Sequence, residues 1–352
     1  MKREMEKAMR IKNRLMLILW LAGIGAAVCL FCAIIQQLEQ KHPSALIADE
    51  PLREDEERYA AVPDRDAKSI FISGKEFSYS HEIKSYLLIG TDGSGSEAAY
   101  GEDYQGSMAD FLLLLVLDQT EHSYGLLQLD RDTMTDVTLL QKDGTGMASA
   151  RIQLCTAHWY GGTKEQSCEN TVEAVSNLLG GVPIDGYYAL NMEMIPVLNH
   201  AAGGVEVKIE DDFSKIDAGM EEGKTLKLSD EQAYIFVHDR VGVGNGSNQS
   251  RMKRQQQYLK AFISKCMKKW EDSPEFIFHL LQELKADAVT DIRQGELAKI
   301  AEETAQAEGR GIFIFQGTLD IGQALGDGIN HAEFYADEQS VIEVMTQLYG
   351  LE

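Results

Sequence analysis

Three apolar segments follow one another in the first half of the chain, and their pattern predicts neighbouring strands of one sheet. Residues 86–90, 111–117 and 124–129 are apolar at nearly every position, as expected for strands whose sheet is covered on both faces. Because only residues 118–123 separate the second segment from the third, these two are predicted to form an antiparallel hairpin. The three segments indicate the centre of a layered domain.

Helical and extended segments alternate through the rest of the chain. Ser229 and Gln232 have the spacing of a capping box and predict a helix start, and Ser250 is the expected cap of the longest helix. Because strands and helices intermix, the predicted fold is α/β, a three-layer α-β-α domain with a central mixed sheet. The predicted helices are 164–179, 192–202, 229–237, 250–270, most of 273–306 and 337–349, and the predicted strands are 183–190, 205–209 and 311–316, with a hairpin at 70–79.

The chain begins with a basic segment that is followed by an apolar one. Residues 15–35 contain no charged residue and are numerous enough to span a bilayer as a helix. The basic residues before them place the N-terminus in the cytoplasm and the remainder outside. A cleaved signal peptide is the alternative interpretation, although the run is longer than the apolar region of most signal peptides. The predicted organisation is a cytoplasmic stub at 1–14, a transmembrane helix at 15–35, a linker at 36–68 and an extracellular domain at 69–352.

Charge and cysteine content narrow the class of protein. The formal net charge is −23, which argues against binding to nucleic acid, because such binding uses cations to displace the counterions of phosphates. The cysteines beyond the apolar run are Cys155, Cys168 and Cys266, and an odd number fits no disulfide framework. A Cys155–Cys168 bridge is one interpretation, and buried free thiols are the preferred one.

Polar residues flank the ends of the three central strands. Asp92 comes just after the first strand, Asp110 just before the second, and Arg131 and Asp132 just after the third. If successive strands run antiparallel, these ends lie on one edge of the sheet, where ligands of α/β proteins commonly bind. The four side chains are therefore predicted to meet there.

A second set of polar residues opens the longest predicted helix. Arg251, Arg254, Gln255 and Tyr258 are spaced so that they share one helix face. Cations beside a helix N-terminus favour a bound phosphate, because the free N–H groups and the helix dipole also attract an anion. The segment predicts a phosphate site, with a solvated helix face as the alternative.

These residues belong to a series of short motifs that follow one another in order. The motifs are LLIGTD at 87–92, DFLLL at 110–114, LDRDT at 129–133, AHWYGG at 157–162, GGVEV at 203–207, LSDEQAY at 228–234 and RMKRQQ at 251–256. With this order the chain resembles the LytR-CpsA-Psr family of bacterial cell-envelope proteins, over about residues 85–265. Each motif alone is weak, and the series is specific.

The resemblance implies a membrane-anchored phosphotransferase that moves a glycopolymer (teichoic acid, capsular or other wall polysaccharide) from an undecaprenyl-pyrophosphate carrier to peptidoglycan. It also implies an apolar groove for the prenyl tail and Mg²⁺ or Mn²⁺ beside the pyrophosphate. Phosphoryl transfer depends mainly on positioning and on neutralising charge. The implied metal ligands are Asp92 and Asp110, the implied catalytic residues are Arg131, Asp132, Arg240 and Arg251, and the implied substrate-binding residues are Arg254, Gln255, Arg151, Gln153 and His238.

Several positions depart from the pattern of the family. Met108 and His238 stand where arginines are usual, and Asp130 stands where a proline usually precedes the Arg-Asp pair. Gln153 aligns with a lysine, and Arg151 lies two residues away on the same side of a predicted strand. These changes leave open an alternative, a catalytically weakened protein that binds the lipid-linked polymer or regulates envelope assembly. A regulator that binds DNA is disfavoured by the acidic domain.

Overall fold

The computed structural model describes residues 69–92, 106–141, 144–273 and 275–352. Over these ranges no helix is both long enough and apolar enough to cross a membrane. The predicted stub, transmembrane helix and linker at 1–68 lie outside the described residues and stay predictions.

Strands and helices intermix along the described chain, as the sequence predicts. The strands are β1 (Ser69–Ile72), β2 (Lys75–Ser78), β3 (Ile83–Thr91), β4 (Ala109–Asp118), β5 (Ser123–Leu129), β6 (Met134–Leu140), β7 (Gly146–Gln153), β8 (Gly186–Asn191), β9 (Glu206–Lys208), β10 (Thr225–Lys227), β11 (Ala288–Thr290), β12 (Glu308–Phe313), β13 (Gly317–Gly322) and β14 (His331–Ala336). The helices are α1 (Lys164–Leu178), α2 (Ile195–Ala202), α3 (Asp230–His238), α4 (Asn248–Asp272), α5 (Glu275–Leu284), α6 (Gln294–Gln306) and α7 (Glu338–Tyr349), with short 3₁₀ segments at Leu154–Trp159 and Met192–Met194.

A six-stranded mixed sheet forms the centre of the fold, in the order β11-β8-β3-β4-β5-β12. β4 runs antiparallel to both β3 and β5, so the predicted hairpin and the predicted mixed sheet are confirmed. β3 is parallel to β8, and β5 is parallel to β12. The antiparallel centre therefore places the end of β3, the start of β4 and the end of β5 on the same edge.

Helices cover both faces of the sheet. On one face, Leu114 is buried in a core that includes Val175 of α1 and Met345 of α7. On the other face, Leu115 is buried in a core that includes Ile300 of α6. Burial on both faces explains why the central strands are apolar at successive positions instead of at alternate ones.

A second, smaller core lies among α2, α3, α4 and the β9–β10 pair. Val207, Phe213 and Phe236 are buried there, and the two phenylalanine rings stack with their centroids 5.9 Å apart. Helix α2 ends at Gly203, whose φ of 78° is a left-handed conformation that glycine adopts without a steric penalty. This core holds the end of α3 beside the start of α4.

The predicted start of the longest helix is wrong. Helix α4 begins at Asn248, and its cap is Ser247, whose side chain accepts from the backbone N–H of Ser250. The hydroxyl of Ser250 instead donates to Oδ2 of Asp211 at 2.6 Å. Serines at both positions offer the same local signal, so the choice between them depends on the tertiary partner Asp211.

The segment 273–306 is mostly helical, as predicted, and strand β11 separates its two helices, α5 and α6. β11 pairs with β8 and forms an edge of the central sheet. Tertiary pairing therefore decides the conformation of this short segment. The strand predicted at 311–316 overlaps β12, which begins earlier, at Glu308, and ends at Phe313. β13, which the sequence did not predict, pairs with β14.

Candidate active site

The three central strands bring the predicted polar residues to one edge of the sheet. Asp92 follows β3, Asp110 is near the start of β4, and Arg131 and Asp132 follow β5. Because β4 is antiparallel to both of its neighbours, these positions share an edge. The start of α4 and the segment after α3 complete the same region, which we call the edge cluster: Asp92, Asp110, Arg131, Asp132, His238, Arg240 and Arg251.

Asp110 lies between two arginines of the edge cluster. Its Oδ1 is paired with Nη1 of Arg131, and its Oδ2 lies 2.6 Å from Nη1 of Arg251. Nε of Arg131 also lies 3.3 Å from Oδ1 of Asp132. These four side chains are all buried. Since buried charges need well-aligned partners, the network holds the guanidinium of Arg131 in one orientation.

Arg251 is a deeply buried member of the edge cluster and does not lie at its surface. Its side chain is 2% exposed, and its Nε and Nη2 donate to Oδ1 of Asn248 at 3.0 and 2.7 Å. Burial, followed by repulsion from Arg131 and Arg240, lowers the pKa of Arg251 to about 10, so it remains charged at neutral pH. Arg251 can therefore fix Asp110 in place while it adds positive potential to the site.

Arg240 and His238 form the more accessible side of the edge cluster. The side chain of Arg240 is 33% exposed, and its Nη1 lies 3.4 Å from Oδ2 of Asp132. Nδ1 of His238 lies 2.8 Å from Oδ1 of Asp239, and the imidazole stacks on Tyr234 with ring centroids 4.6 Å apart. Arg240 is thus the cluster's guanidinium best placed to meet a ligand from solvent.

Asp92 and Met108 lie on the two sides of the segment 93–105, which is outside the described residues. Burial raises the pKa of Asp92, and the charges of Arg131 and His238 oppose that rise. The backbone N–H of Asp92 donates to the backbone oxygen of Met108 at 3.0 Å. Sδ of Met108 lies 2.9 Å from Nη2 of Arg131, so an uncharged thioether lies beside Arg131.

Asp130 connects the edge of the sheet to the start of α4, a role that the sequence did not reveal. Its Oδ1 accepts from the backbone N–H of Asp132 at 3.0 Å and from Nδ2 of Asn248 at 2.6 Å. Its Oδ2 accepts from Nε2 of Gln249 at 3.0 Å. Burial, and then the charge of Asp132, raise the pKa of Asp130 to about 6. The only sequence signal was the departure from proline at this position.

Arg254 is held in the second core. Its Nε lies 3.0 Å from Oδ2 of Asp211, its Nη2 donates to the backbone oxygen of Asp239 at 2.6 Å, and its Nη1 donates to that of Phe236. The guanidinium also lies over the ring of Phe213, 5.2 Å from its centroid. These contacts fasten α4 to the end of α3, and a substrate-binding role for Arg254 stays a prediction.

The remaining predicted substrate-binding residues are spread over two elements. Gln255 is buried on α4, and its Oε1 accepts from Nε2 of Gln128 at 3.2 Å. Gln153 is buried at the end of β7 and donates to the backbone oxygen of Ala332 at 3.0 Å. Arg151, two residues earlier, is exposed. The contacts described here do not connect these three side chains to the edge cluster, and their substrate-binding roles also stay predictions.

The carboxylates at the edge could take part in binding a hard cation. In the described part of the chain, no group of three or more His, Cys, Asp or Glu side chains is arranged to hold a metal ion. Mg²⁺ needs only one or two carboxylates when waters and substrate phosphates complete its shell. Both oxygens of Asp110 are already paired with arginines, so Asp92 is the better ligand. These carboxylate oxygens suit a cation that arrives bound to a phosphate.

The cysteines near this edge are packing residues. Cys155 and Cys168 are free and buried, so the bridge interpretation is wrong and the preferred interpretation is confirmed. Nε2 of His158 lies 3.7 Å from Sγ of Cys168, and burial lowers the pKa of His158 to about 4. A neutral, buried imidazole beside a thiol belongs to the interior of the fold.

Comparison with known sequences identifies relatives of this chain. The profile of the LytR_cpsA_psr family matches residues 53–349. A polyisoprenyl-teichoic acid–peptidoglycan teichoic acid transferase TagU from Enterococcus faecalis is 26% identical over 264 residues, which is 75% of this chain and 78% of that protein. The protein of the same name from Halalkalibacterium halodurans is 28% identical over 179 residues, 51% of this chain and 52% of its own length. The chain therefore spans about half of that second relative.

Solved structures share the fold. TagV of Bacillus subtilis has a TM-score of 0.54 and 19% identity, and the match covers 76% of this chain and 96% of that one. A structure described as TagT bound to LI-WTA also has a TM-score of 0.54 and 19% identity, covering 83% of this chain and 98% of that one.

Proposed function

The chain belongs to the LytR-CpsA-Psr family, and from that premise we propose that it transfers a glycopolymer from a polyprenyl-pyrophosphate carrier to peptidoglycan. Two relatives are named as teichoic acid transferases, and the proposal extends that kind of activity to this chain. The observation that carries it is the edge cluster, in which Arg131, Arg240 and Arg251 converge on Asp110 and Asp132.

Arginines suit a pyrophosphate because their planar donors match phosphate oxygens in pairs. Arg240 has the exposure to contact a phosphate, and Arg131 lies next to it through their shared partner Asp132. Asp132 therefore orients both guanidinium groups, and we assign it that role in preference to proton transfer. Arg251 acts as a positioning residue from below.

The proposed reaction is a displacement at the phosphorus that carries the glycopolymer. The acceptor hydroxyl oxygen forms a bond to this phosphorus while the bond from the phosphorus to the bridging oxygen breaks. Prenyl monophosphate leaves and carries away the proton that the hydroxyl loses. Fixed positive groups that oppose the charge on the transferred phosphoryl group lower the barrier, because they need no reorganisation during the reaction.

Apolar surface lies directly beside the edge cluster. Phe111 follows Asp110 in β4 and is only partly buried, as is Leu88 of β3. Both pack on the sheet face that α6 covers. We propose that a prenyl tail extends along this face while its pyrophosphate meets Arg240 and Arg131.

Mg²⁺ is part of the proposal, with Asp92 as its main protein ligand and Asp110 as a shared one. When bound, the ion would neutralise charge on the pyrophosphate. Asp92→Asn should then weaken the dependence of activity on Mg²⁺ concentration while the protein stays folded.

We also propose that the domain works outside the cell membrane, anchored by the apolar run at 15–35. The support is the charge pattern of the first residues and the length of that run. Access of a protease or a membrane-impermeant label to the domain in intact cells tests this placement. Labelling that occurs only after the cells are opened would reject it.

The central test measures hydrolysis of a short prenyl pyrophosphate by the full chain in detergent with Mg²⁺. Arg240→Gln should lower the turnover by about 10²–10³-fold, the usual loss when one preorganised donor to a transition-state anion is removed. Arg293→Gln is the matched control, because Arg293 is an exposed arginine at the start of α6. Equal activity of the wild type, the Arg240 variant and the control would exclude this role.

One observation favours the weaker alternative, binding without transfer. Met108 places its sulfur beside Arg131, where a further cation would add to the charge facing a phosphate. If the wild type retains prenyl phosphate in mass spectra of the native protein but shows no turnover, Met108→Arg should produce activity. Met108→Leu is its control, because leucine adds no charge.

A further inference from the structure

A cavity of about 450 Å³ is lined in part by Asp130, the residue that precedes Arg131 of the edge cluster. Its walls come from the end of β5, the first turns of α4 and the β13–β14 hairpin with the segment before it. Its volume is within the range typical of small-molecule sites. The residues that carry the inference are Gln128, Asp130, Gln249, Gln256, Leu319 and Phe334.

One wall of the cavity is built from amides and a carboxylate. Nε2 of Gln256 donates to Oε1 of Gln128 at 2.6 Å, and Nε2 of Gln249 donates to Oδ2 of Asp130 at 3.0 Å. Each amide has a second N–H and a second lone pair beyond these bonds. The wall can therefore both donate to and accept from a ligand that carries several hydroxyl groups.

The facing wall is apolar. Phe334 is 7% exposed and Leu319 is 45% exposed, and both lie on the β13–β14 hairpin. A sugar ring has hydroxyl groups at its edges and C–H groups on its faces, so it matches one polar wall and one apolar wall together. A prenyl chain would leave the remaining N–H groups and lone pairs of the amides without partners. The lining contains one acidic and one basic residue, Asp130 and Lys253, so it favours neither an anion nor a cation.

We propose that this cavity binds the saccharide acceptor, an N-acetylated sugar of the peptidoglycan glycan strand. The inference rests on the proposed function. It assigns a binding place to the acceptor, which the edge cluster alone does not provide. Asp130 lines the cavity, the next residue is Arg131, and Asn248, which donates to Asp130, also holds Arg251. A sugar seated in the cavity lies beside the groups that hold the phosphate.

The first experiment measures binding without any transfer reaction. Saturation-transfer NMR with the full chain in detergent reports on the neutral β-1,4-linked disaccharide of N-acetylglucosamine, which represents the N-acetylated glycan strand. Leu319→Trp fills the cavity from an exposed position, and it should weaken binding at least tenfold. Thr318→Trp is the matched control, since neighbouring residues of a strand point to opposite faces and Thr318 does not line the cavity.

A second variant guards against a change of fold. Gln256→Leu keeps the approximate size of the side chain and removes its amide, so it should also weaken binding of the disaccharide. Wild-type affinity in both Leu319→Trp and Gln256→Leu would overturn the proposal. Weakening in Thr318→Trp as large as in Leu319→Trp would overturn it too.

A second probe tests whether the sugar that binds in the cavity belongs to the acceptor or to the donor. N-acetylglucosamine 1-phosphate represents the sugar phosphate of a donor, and the neutral disaccharide represents the acceptor. Leu319→Trp should reduce binding of the disaccharide and leave binding of the sugar phosphate unchanged. The reverse selectivity would assign the cavity to the donor and reject the acceptor assignment.

Hydrolysis of a short prenyl pyrophosphate separates the two proposals. Leu319→Trp should hydrolyse it at the wild-type rate, because water replaces the acceptor. If the wild type binds the disaccharide but hydrolyses no prenyl pyrophosphate, the proposed transfer reaction fails while the saccharide site stands. If it hydrolyses the pyrophosphate but the disaccharide does not bind, the saccharide site fails alone.

Discussion

Arg251 and Arg254 lie one helical turn apart on α4, and they belong to different regions of the molecule. Arg251 joins the edge cluster through Asp110, whereas Arg254 joins the second core through Asp211 and two backbone oxygens. Both are almost fully buried, at 1% and 4% exposure. The difference lies in their partners: carboxylate and amide side chains hold Arg251, while Arg254 is held mainly by backbone and aromatic rings.

This comparison shows that one motif can serve two purposes. The spacing of the two arginines puts them on one helix face, but the face is long enough to touch two cores. Arg251 stabilises charged groups that a ligand can use, and Arg254 stabilises the attachment of α4 to α3. Variants should separate the two roles, because stability is expected to respond more to Arg254 and catalysis to Arg251.

The largest expected effect is the loss of stability in Arg254→Met. It leaves Asp211 and the backbone oxygens of Phe236 and Asp239 without their buried donor. Breaking such a buried pair costs about 3–5 kcal/mol, which urea unfolding can measure. Arg240→Met should cost less than about 1 kcal/mol, because its ion pair is partly exposed. Equal losses in the two variants would remove the distinction between the regions.

Arg251→Met should lower prenyl pyrophosphate hydrolysis by about 10²-fold, because Asp110 and Arg131 lose their fixed orientation. It should also reduce stability less than Arg254→Met, since Asp110 keeps Arg131 as a partner. The double variant Asp110→Asn with Arg251→Met should recover part of the stability through a coupling of about 0.5–3 kcal/mol. Turnover should stay low in the double variant.

A fall in kcat with an unchanged KM distinguishes orientation from simple loss of binding. Full recovery of turnover in the double variant would show that Arg251 matters only for the fold.

The sequence predicted the central sheet and its edge for physical reasons that operate locally. The apolar runs of β3, β4 and β5 reflect burial on both faces, and the short hairpin between β4 and β5 imposes the antiparallel order. Once that order is known, Asp110 and Arg131 must share an edge.

What the sequence could not predict depends on partners that are distant along the chain. Nothing near Arg254 indicates that Asp211 and Phe236 will enclose it, and nothing near Asp130 indicates that Asn248 and Gln249 will bind it. The wrong cap at Ser250 has the same origin. Local sequence patterns indicated which residues lie at the site. Tertiary packing determined how deeply their side chains are buried and which groups they contact.

Asp130 offers a test of how the edge of the sheet is joined to α4. Its pKa rises from 3.8 to about 6 on folding, mainly through burial. Below the lower value the group is protonated in both states, and above the higher value it is ionised in both. The folded state therefore loses about 2–3 kcal/mol of stability from this group as pH rises from about 4 to about 6.

Asp130→Asn should remove that loss, because its oxygen can still accept from Asn248 and the amide of Gln249 can rotate to accept from it. The check is the free energy of unfolding in urea at several pH values between 4 and 7. Asp136→Asn, at an exposed position of β6, should keep the wild-type profile. If Asp130→Asn also keeps it, the group does not couple folding to pH.

The smallest effect on stability is expected for a change at the cap of α4. This cap is closer to Arg251 than to Arg254. Ser247→Ala removes the side-chain oxygen that accepts from the N–H of Ser250, and such losses cost about 1 kcal/mol. Ser247→Asp should restore most of the stability, because a carboxylate caps the helix and also favours its positive end. Hydrogen exchange of the first turn should increase in Ser247→Ala while exchange around Arg254 stays slow. Equal increases at both places would mean that the two regions open as one unit. The regions would then differ only in their chemical roles.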